Sequence, residues 1–113
     1  MIRYINDLFL TENTQKNLEK IKRKLRLGTG MSGLYFILLS SNEKDVFDIV
    51  PAPVFKQRRF RHRDHIVVGI SESMDEVYNM VGSIVSDHYL RTGSYTGLKK
   101  DFMECYLNSD TKK

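Results

Sequence analysis

The order of apolar and polar positions predicts a first strand and then a basic helix. Residues 2 to 10 are rich in apolar, β-prone side chains and predict the strand. Leu18, Ile21 and Leu25 follow at helical spacing, and Gly28 is placed to end the helix that they indicate. The remaining faces of this helix carry mostly Lys and Arg. It is therefore predicted to be a basic helix with a narrow apolar stripe.

Three further strands are predicted in the middle of the chain. Residues 34 to 40, LYFILLS, form a continuous apolar run, which is typical of a central strand buried on both faces. Residues 46 to 50 alternate and predict a hairpin partner, which Pro51 and Pro53 bring to an end. Residues 66 to 70, IVVGI, predict the second strong strand.

A long amphipathic helix is the clearest element of the pattern. Ser73 and Glu76 form an S-x-x-E sequence, which predicts a capping box at its start, and Gly93 is placed to end it. Its apolar stripe consists of Val77, Met80, Val81, Ile84, Val85 and His88. A short last helix is predicted from Leu98, Phe102, Cys105 and Tyr106. Residues 108 to 113 are predicted to be a frayed tail.

This order of elements predicts one α+β domain that spans residues 1–113. We expect two layers. The first is a sheet of about four mostly antiparallel strands, and the second contains the basic helix, the long amphipathic helix and the short C-terminal helix. The length of 113 residues suffices for a modest single core.

Composition and targeting signals predict a cytoplasmic globular protein. The longest apolar run is too short to span a bilayer, and the first ten residues lack the pattern of a signal peptide. The single cysteine, Cys105, has no partner for an internal disulfide. We therefore expect no membrane association.

Positive charge is concentrated in the first half of the chain. Residues 1 to 64 carry 13 Lys or Arg against 7 Asp or Glu, whereas residues 65 to 113 carry 5 against 7. Such asymmetry is typical of proteins with a polyanionic partner, although basic residues also serve solubility alone. The candidate binding residues on the basic helix and in the following basic-aromatic block are Lys16, Lys20, Arg23, Lys56, Arg58, Arg59, Phe60, Arg61 and Arg63.

The geometry of the basic-aromatic block decides what it can contact. If residues 58 to 63 are extended, Arg59, Arg61 and Arg63 line one face, and Phe60 and His62 line the other. Guanidinium groups pair with phosphates, and an exposed aromatic ring stacks on a base, which together favour RNA or single-stranded DNA. The alternatives are an acidic protein surface and a charged edge strand that deters aggregation.

Three motifs carry no functional prediction after their context is considered. GTGMSG at residues 28 to 33 matches a dinucleotide fingerprint, but a helix precedes it and a strand follows, which is the reverse of the required order. HRD at residues 62 to 64 occurs in kinases, which need a much longer chain. His62, Asp64 and His65 lack the spacing of a zinc site. We expect no catalytic residue, no metal and no cofactor.

Three functions are compatible with the sequence. The first is a non-catalytic binding module for nucleic acid or an acidic protein. The second is a small ribonuclease-like toxin, with His62 or His65 as base and Arg59 or Arg61 as charge stabiliser. The third is a structural or inhibitory protein that forms a homo-oligomer or binds a larger complex through C-terminal aromatic residues, namely Tyr89, Tyr95, Phe102 and Tyr106.

One segment also resembles a known family. The sequence DVFDIVPAPVFKQRRFRHRDHIVVGISESMDEVYNMV is similar to small bacterial proteins without an assigned activity. They share a D-I-hydrophobic segment, a basic-aromatic loop and a V-G-I strand before a helix. The resemblance spans roughly residues 33 to 92. It implies a bacterial cytoplasmic domain and transfers no catalytic residue.

Overall fold

The computed structural model describes residues 2–28, 33–40 and 46–93. The four predicted strands are confirmed to within one residue at each end. In chain order the elements are β1 (Ile2–Leu10), α1 (Glu12–Lys16), α2 (Leu18–Leu27), β2 (Tyr35–Leu39), β3 (Phe47–Pro51), a 3-10 helix (Ala52–Lys56), α3 (Arg58–Arg61), β4 (His65–Ser71) and α4 (Met74–Thr92).

The four strands form one mixed sheet in the order β1–β4–β2–β3. β1 is parallel to β4, whereas β2 is antiparallel to both β4 and β3. The two central strands carry the fully buried side chains of Phe36, Ile37, Val67 and Val68. The predicted α+β class and the mostly antiparallel sheet of four strands are confirmed for the described residues.

Helices cover both faces of the sheet. On one face, Ile21 and Leu25 of α2 pack around Phe36 of β2. On the other face, Val77 of α4 packs around Ile37 of the same strand. The domain therefore has three layers, whereas the sequence pattern predicts two. The physical reason lies in β2 and β4, which are apolar on both faces, so that each face needs a cover.

Glycine and threonine set the helix ends as their chemistry requires. Gly28 ends α2 at φ 69° and Gly93 ends α4 at φ 74°, in the left-handed region that glycine adopts without strain. Thr11 caps α1, because its hydroxyl accepts from the Thr14 N–H at 3.3 Å and its N–H donates to the Thr14 hydroxyl at 2.9 Å. The predicted end points of both long helices are confirmed.

The capping box predicted at the start of α4 is wrong. Ser73 occupies the N-cap position, but its side chain makes no capping hydrogen bond. The hydroxyl of Ser71 instead binds the backbone of Ser73. It accepts from the Ser73 N–H at 3.0 Å and donates to the Ser73 carbonyl at 3.1 Å. The end of β4 thereby positions the first turn of α4.

Several predicted features fall outside the described residues. These are the turn at 41–45, the short C-terminal helix, the tail at 108–113, and Cys105. The glycine-rich segment is described at its two ends, and it follows α2 and precedes β2 as expected. In the part of the chain that the structure describes, no helix is long and apolar enough to cross a membrane.

Candidate functional site

The basic-aromatic block is helical, so the extended arrangement is wrong. Pro51 and Pro53 lie at the start of the 3-10 helix, and α3 follows directly after Gln57. Backbone N–H groups of Arg61 and His62 donate to the carbonyls of Gln57 and Arg58 at 2.9 and 3.1 Å. The arginines therefore spread around one helical turn, and they do not line one face of a strand.

Phe60 packs against the core, although the sequence pattern places it on the exposed surface. Its ring meets Phe55 edge to face at a centroid distance of 5.1 Å and stacks on His65 at 4.4 Å. His65 is 9% exposed, and its Nε2–H donates to the Phe60 carbonyl at 2.6 Å. These rings anchor the segment to the sheet. A base that stacks on Phe60 would have to replace these contacts.

Arg61 joins α3 to the end of α2. Its Nη1–H donates to the Phe55 carbonyl at 3.1 Å, which holds the guanidinium in place. The same guanidinium lies directly against Gly28, where a Cβ atom would overlap it. The glycine therefore ends α2 and also leaves room for the arginine. This contact brings together two basic segments that are far apart in the sequence.

A groove of about 710 Å³ lies between α2 and α3, above the first residues of β1. Its walls carry four Lys or Arg side chains and one carboxylate, and its floor carries two side chains from one face of the edge strand. The lining residues are Ile2, Tyr4, Glu19, Lys22, Arg23, Arg26, Arg61 and His62. Such a volume falls in the range of ordinary ligand sites.

A second, shallower depression of about 530 Å³ adjoins the groove. Arg58, Arg59, His62 and Arg63 line it, and His62 also lines the groove. Together the two depressions form one surface, which we call the basic surface. Among the described residues that line it, seven Lys or Arg side chains stand against the single carboxylate of Glu19.

Tyr4 occupies the floor of the groove as a neutral phenol. Burial raises its pKa to about 12, with Arg26 lowering it and Glu19 raising it further. The Lys22 ammonium lies over the ring, 4.7 Å from its centroid. At neutral pH the Tyr4 hydroxyl is therefore protonated and can donate a hydrogen bond into the groove.

The structure divides the candidate residues of the basic helix. Arg23 lines the groove. Lys20 is not among the lining residues, because it lies about 110° around α2 from the centre of those that are. Lys16 lies one helix earlier, in α1, and pairs with Glu12 at 3.5 Å.

The candidate residues of the second segment also separate. Arg61 lines the groove, and Arg58, Arg59 and Arg63 line the adjoining depression. Lys56 lines neither, although its carbonyl lies 3.5 Å from the Arg61 Nη1. α3 and the residues directly after it thus bring four of the five arginine and lysine candidates of this segment to the basic surface.

The candidate residues chosen from the sequence leave out Ile2, Tyr4, Glu19, Lys22 and Arg26, which all line the groove. Lys22 and Arg26 are four positions apart and flank the apolar stripe of α2, a spacing that a helical projection would have shown. No local signal connects Tyr4 to them, since β1 and α2 meet only in the folded domain. Lys22 and Arg26 could therefore have been assigned from helical spacing, whereas assigning Tyr4 to the site requires the tertiary structure.

The groove has the chemistry of an anion-binding site. In the part of the chain that the structure describes, no group of three or more His, Cys, Asp or Glu side chains is placed to hold a metal ion. His88, a further histidine, is buried in α4 on the opposite face of the sheet. Of the charged groups around the groove, positive ones predominate, and they lie beside an apolar and aromatic floor.

No family model, no curated protein and no solved structure matches the chain. The chemistry of the basic surface is therefore the guide to function. The resemblance of residues 33 to 92 to small bacterial proteins stays a prediction.

Proposed function

We propose that the protein is a non-catalytic module that binds nucleic acid through the basic surface. One observation carries this proposal. Cationic side chains of α2 and of the α3 segment border the same groove and its adjoining depression. If the two basic segments lay on opposite faces of the domain, their charge would be explained by solubility alone. Their convergence supports a polyanion as the partner.

The kind of cation supports phosphate as the anion. Six of the seven Lys or Arg side chains of the basic surface are arginines. The planar guanidinium forms two parallel hydrogen bonds to a phosphate, and it also stacks on bases. An acidic protein surface offers carboxylates to the same arginines. The aromatic floor at Tyr4 favours nucleic acid, because bases provide flat rings at regular intervals along the phosphates.

The position of His65 favours binding over the ribonuclease alternative. His65 is buried and donates its Nε2–H to the Phe60 carbonyl, so it is held away from the groove. His62 is the exposed histidine of the segment between residues 55 and 65. General acid–base cleavage needs a second proton carrier beside it, and the groove offers Glu19 and Tyr4 for that role, so cleavage of RNA is the result that would contradict the proposal. RNA that stays intact during prolonged incubation with the protein is the expected result.

A cytoplasmic location is the simplest setting for this function. RNA and single-stranded DNA are both accessible in the cytoplasm. Self-association through C-terminal aromatic residues stays an alternative, and of its four residues only Tyr89 lies in the described part, where it is 43% exposed. Sedimentation of the full chain as a strict monomer would remove that alternative.

The test is the salt dependence of binding to a short labelled RNA, measured by fluorescence anisotropy. Lys22→Ala/Arg26→Ala removes two groove cations. Lys20→Ala/Lys24→Ala removes the same charge from the other side of α2 and serves as the matched control. If two phosphate contacts are lost, affinity falls roughly 25-fold at about 0.1 M salt, and the slope of log K against log salt decreases by about 1.4.

The control variant is expected to change affinity by less than about 2-fold, since its lysines lie outside the groove. Equal weakening by both variants would mean that net charge alone attracts RNA, and the groove would lose its assigned role. A labelled poly-glutamate peptide that binds as tightly as RNA would overturn the nucleic-acid proposal in favour of an acidic protein partner. Circular dichroism of each variant checks that the fold is retained.

A further inference from the structure

The groove differs from the adjoining depression in having a floor. The depression is bordered by arginines and His62, whereas the groove descends between α2 and α3 to Ile2 and Tyr4 of β1. These two residues are two positions apart on a strand and therefore share a face. A phosphate is attracted by the walls and can accept from the Tyr4 hydroxyl, but it gains nothing from Ile2 or from the face of the Tyr4 ring. The floor indicates a ligand with a flat, apolar portion beside its phosphate.

Glu19 is the second feature that a plain phosphate site would lack. Its carboxylate lines the groove and lies close enough to Tyr4 to raise the pKa of the phenol. A carboxylate repels phosphates, and it accepts hydrogen bonds from amino, imino or hydroxyl groups. Bases and sugars carry such donors, so an acidic side chain among cations fits a nucleotide better than it fits an inorganic anion.

The Lys22 ammonium marks where a ring would enter. It lies over the Tyr4 ring, 4.7 Å from the centroid, and Lys22 and Tyr4 both line the groove. A lysine has a flexible four-carbon stem, so the ammonium can leave the ring and follow a phosphate when a base takes its place. The tyrosine then exchanges a cation–π contact for a stacking contact.

We propose that the groove holds one unpaired nucleotide of a single strand. Its base lies on the floor formed by Ile2 and Tyr4, its phosphate is held by cations of the walls, and a donor of its base or sugar bonds to Glu19. This inference rests on the proposed function and narrows its substrate class to single strands. A paired base is excluded from the floor, because it must first be unpaired and unstacked.

The first measurement compares a labelled RNA single strand with a duplex of the same sequence at equal salt. The single strand is expected to bind at least about 10-fold more tightly. Equal affinity for both, with the salt dependence intact, would contradict the nucleotide site and leave the proposed function standing. If the wild-type protein binds neither the single strand nor the duplex, the proposed function itself is overturned.

The second measurement isolates Glu19 with two variants and two probes. Glu19→Ala removes the charge and the acceptor, whereas Glu19→Gln removes the charge and keeps an acceptor oxygen. Inorganic triphosphate serves as the nucleoside-free probe, and both variants are expected to bind it more tightly. For the RNA single strand, Glu19→Ala is expected to bind about 3- to 10-fold more weakly than Glu19→Gln.

The ratio of the two variants separates hydrogen bonding from charge. If Glu19 acts through its charge alone, Glu19→Ala and Glu19→Gln will improve both probes by the same factor, and the proposed contact is wrong. A difference that appears only with RNA supports it. Both variants change an exposed side chain, so the fold is expected to be retained.

Discussion

At the scale of the residue, the local environment determines what each polar side chain can do. His62 and His65 are three positions apart, yet one lines the basic surface and the other is packed between Phe60 and Phe55. Phe60 and Tyr4 also lie where their neighbours in the sequence would not predict. The aromatic ring among arginines packs inward, and the ring in an ordinary strand lies at the floor of the groove.

Tyr4 gives a prediction for pH. Burial favours its neutral form, so its folded pKa of about 12 lies above the unfolded value of about 10. The resulting stability is fully present below pH 10 and is lost as pH rises toward 12. In a titration of tyrosinate absorbance, the difference between wild type and Tyr4→Phe is expected to show a group that ionises near pH 12.

The control for this titration is Tyr78→Phe, which changes a tyrosine on α4 that is 61% exposed. This variant is expected to leave the late phase in place, and only Tyr4→Phe should remove it. A wild-type minus Tyr4→Phe difference centred near pH 10 would show that the phenol is not buried in solution.

At the scale of the element, the sequence pattern predicts those features of helices and strands that depend on residues close together in the chain. The stripe of α4 and the ends of α2 and α4 are set by spacing and by glycine, and these predictions are confirmed. The segment at 58–63 contains α3, although the alternation of arginine with other residues resembles a strand. The packing of Phe55 and Phe60 against the core favours helical turns. This packing depends on the rest of the fold.

The contact of α2 with α3 has its own test in Gly28→Ala. Alanine at φ 69° costs about 1 kcal/mol, and its Cβ also displaces Arg61 from the Phe55 carbonyl. Gly93→Ala is the matched control, since Gly93 has φ 74° and a Cβ there would meet no atom of the described residues within 4 Å. Urea unfolding is expected to show that Gly28→Ala costs about 1 kcal/mol more than Gly93→Ala.

A double-mutant cycle assigns this difference to the arginine. In an Arg61→Ala background the two glycine variants are expected to cost the same, because the guanidinium is gone. If the excess cost of Gly28→Ala persists in that background, the coupling between α2 and α3 runs through another contact.

At the scale of the whole molecule, the sheet separates two surfaces of different character. α2, the 3-10 helix and α3 cover one face, and α4 covers the other. The α+β class, the strands and the basic character of both segments could be predicted from local pattern. That Arg61 lies against Gly28 and that Tyr4 joins them could not, since no spacing rule connects residues so distant in sequence.

The most direct test of the central claim maps the RNA-contacting residues on the folded chain. Two-dimensional amide spectra of the ¹⁵N-labelled protein are recorded as a short RNA single strand is added. The largest shifts are expected at Tyr4, at Lys22 to Arg26 and at residues 58 to 63, with the exposed side of α4 unchanged. Shifts concentrated on α4, or a uniform small change everywhere, would contradict a nucleic-acid site on the basic surface.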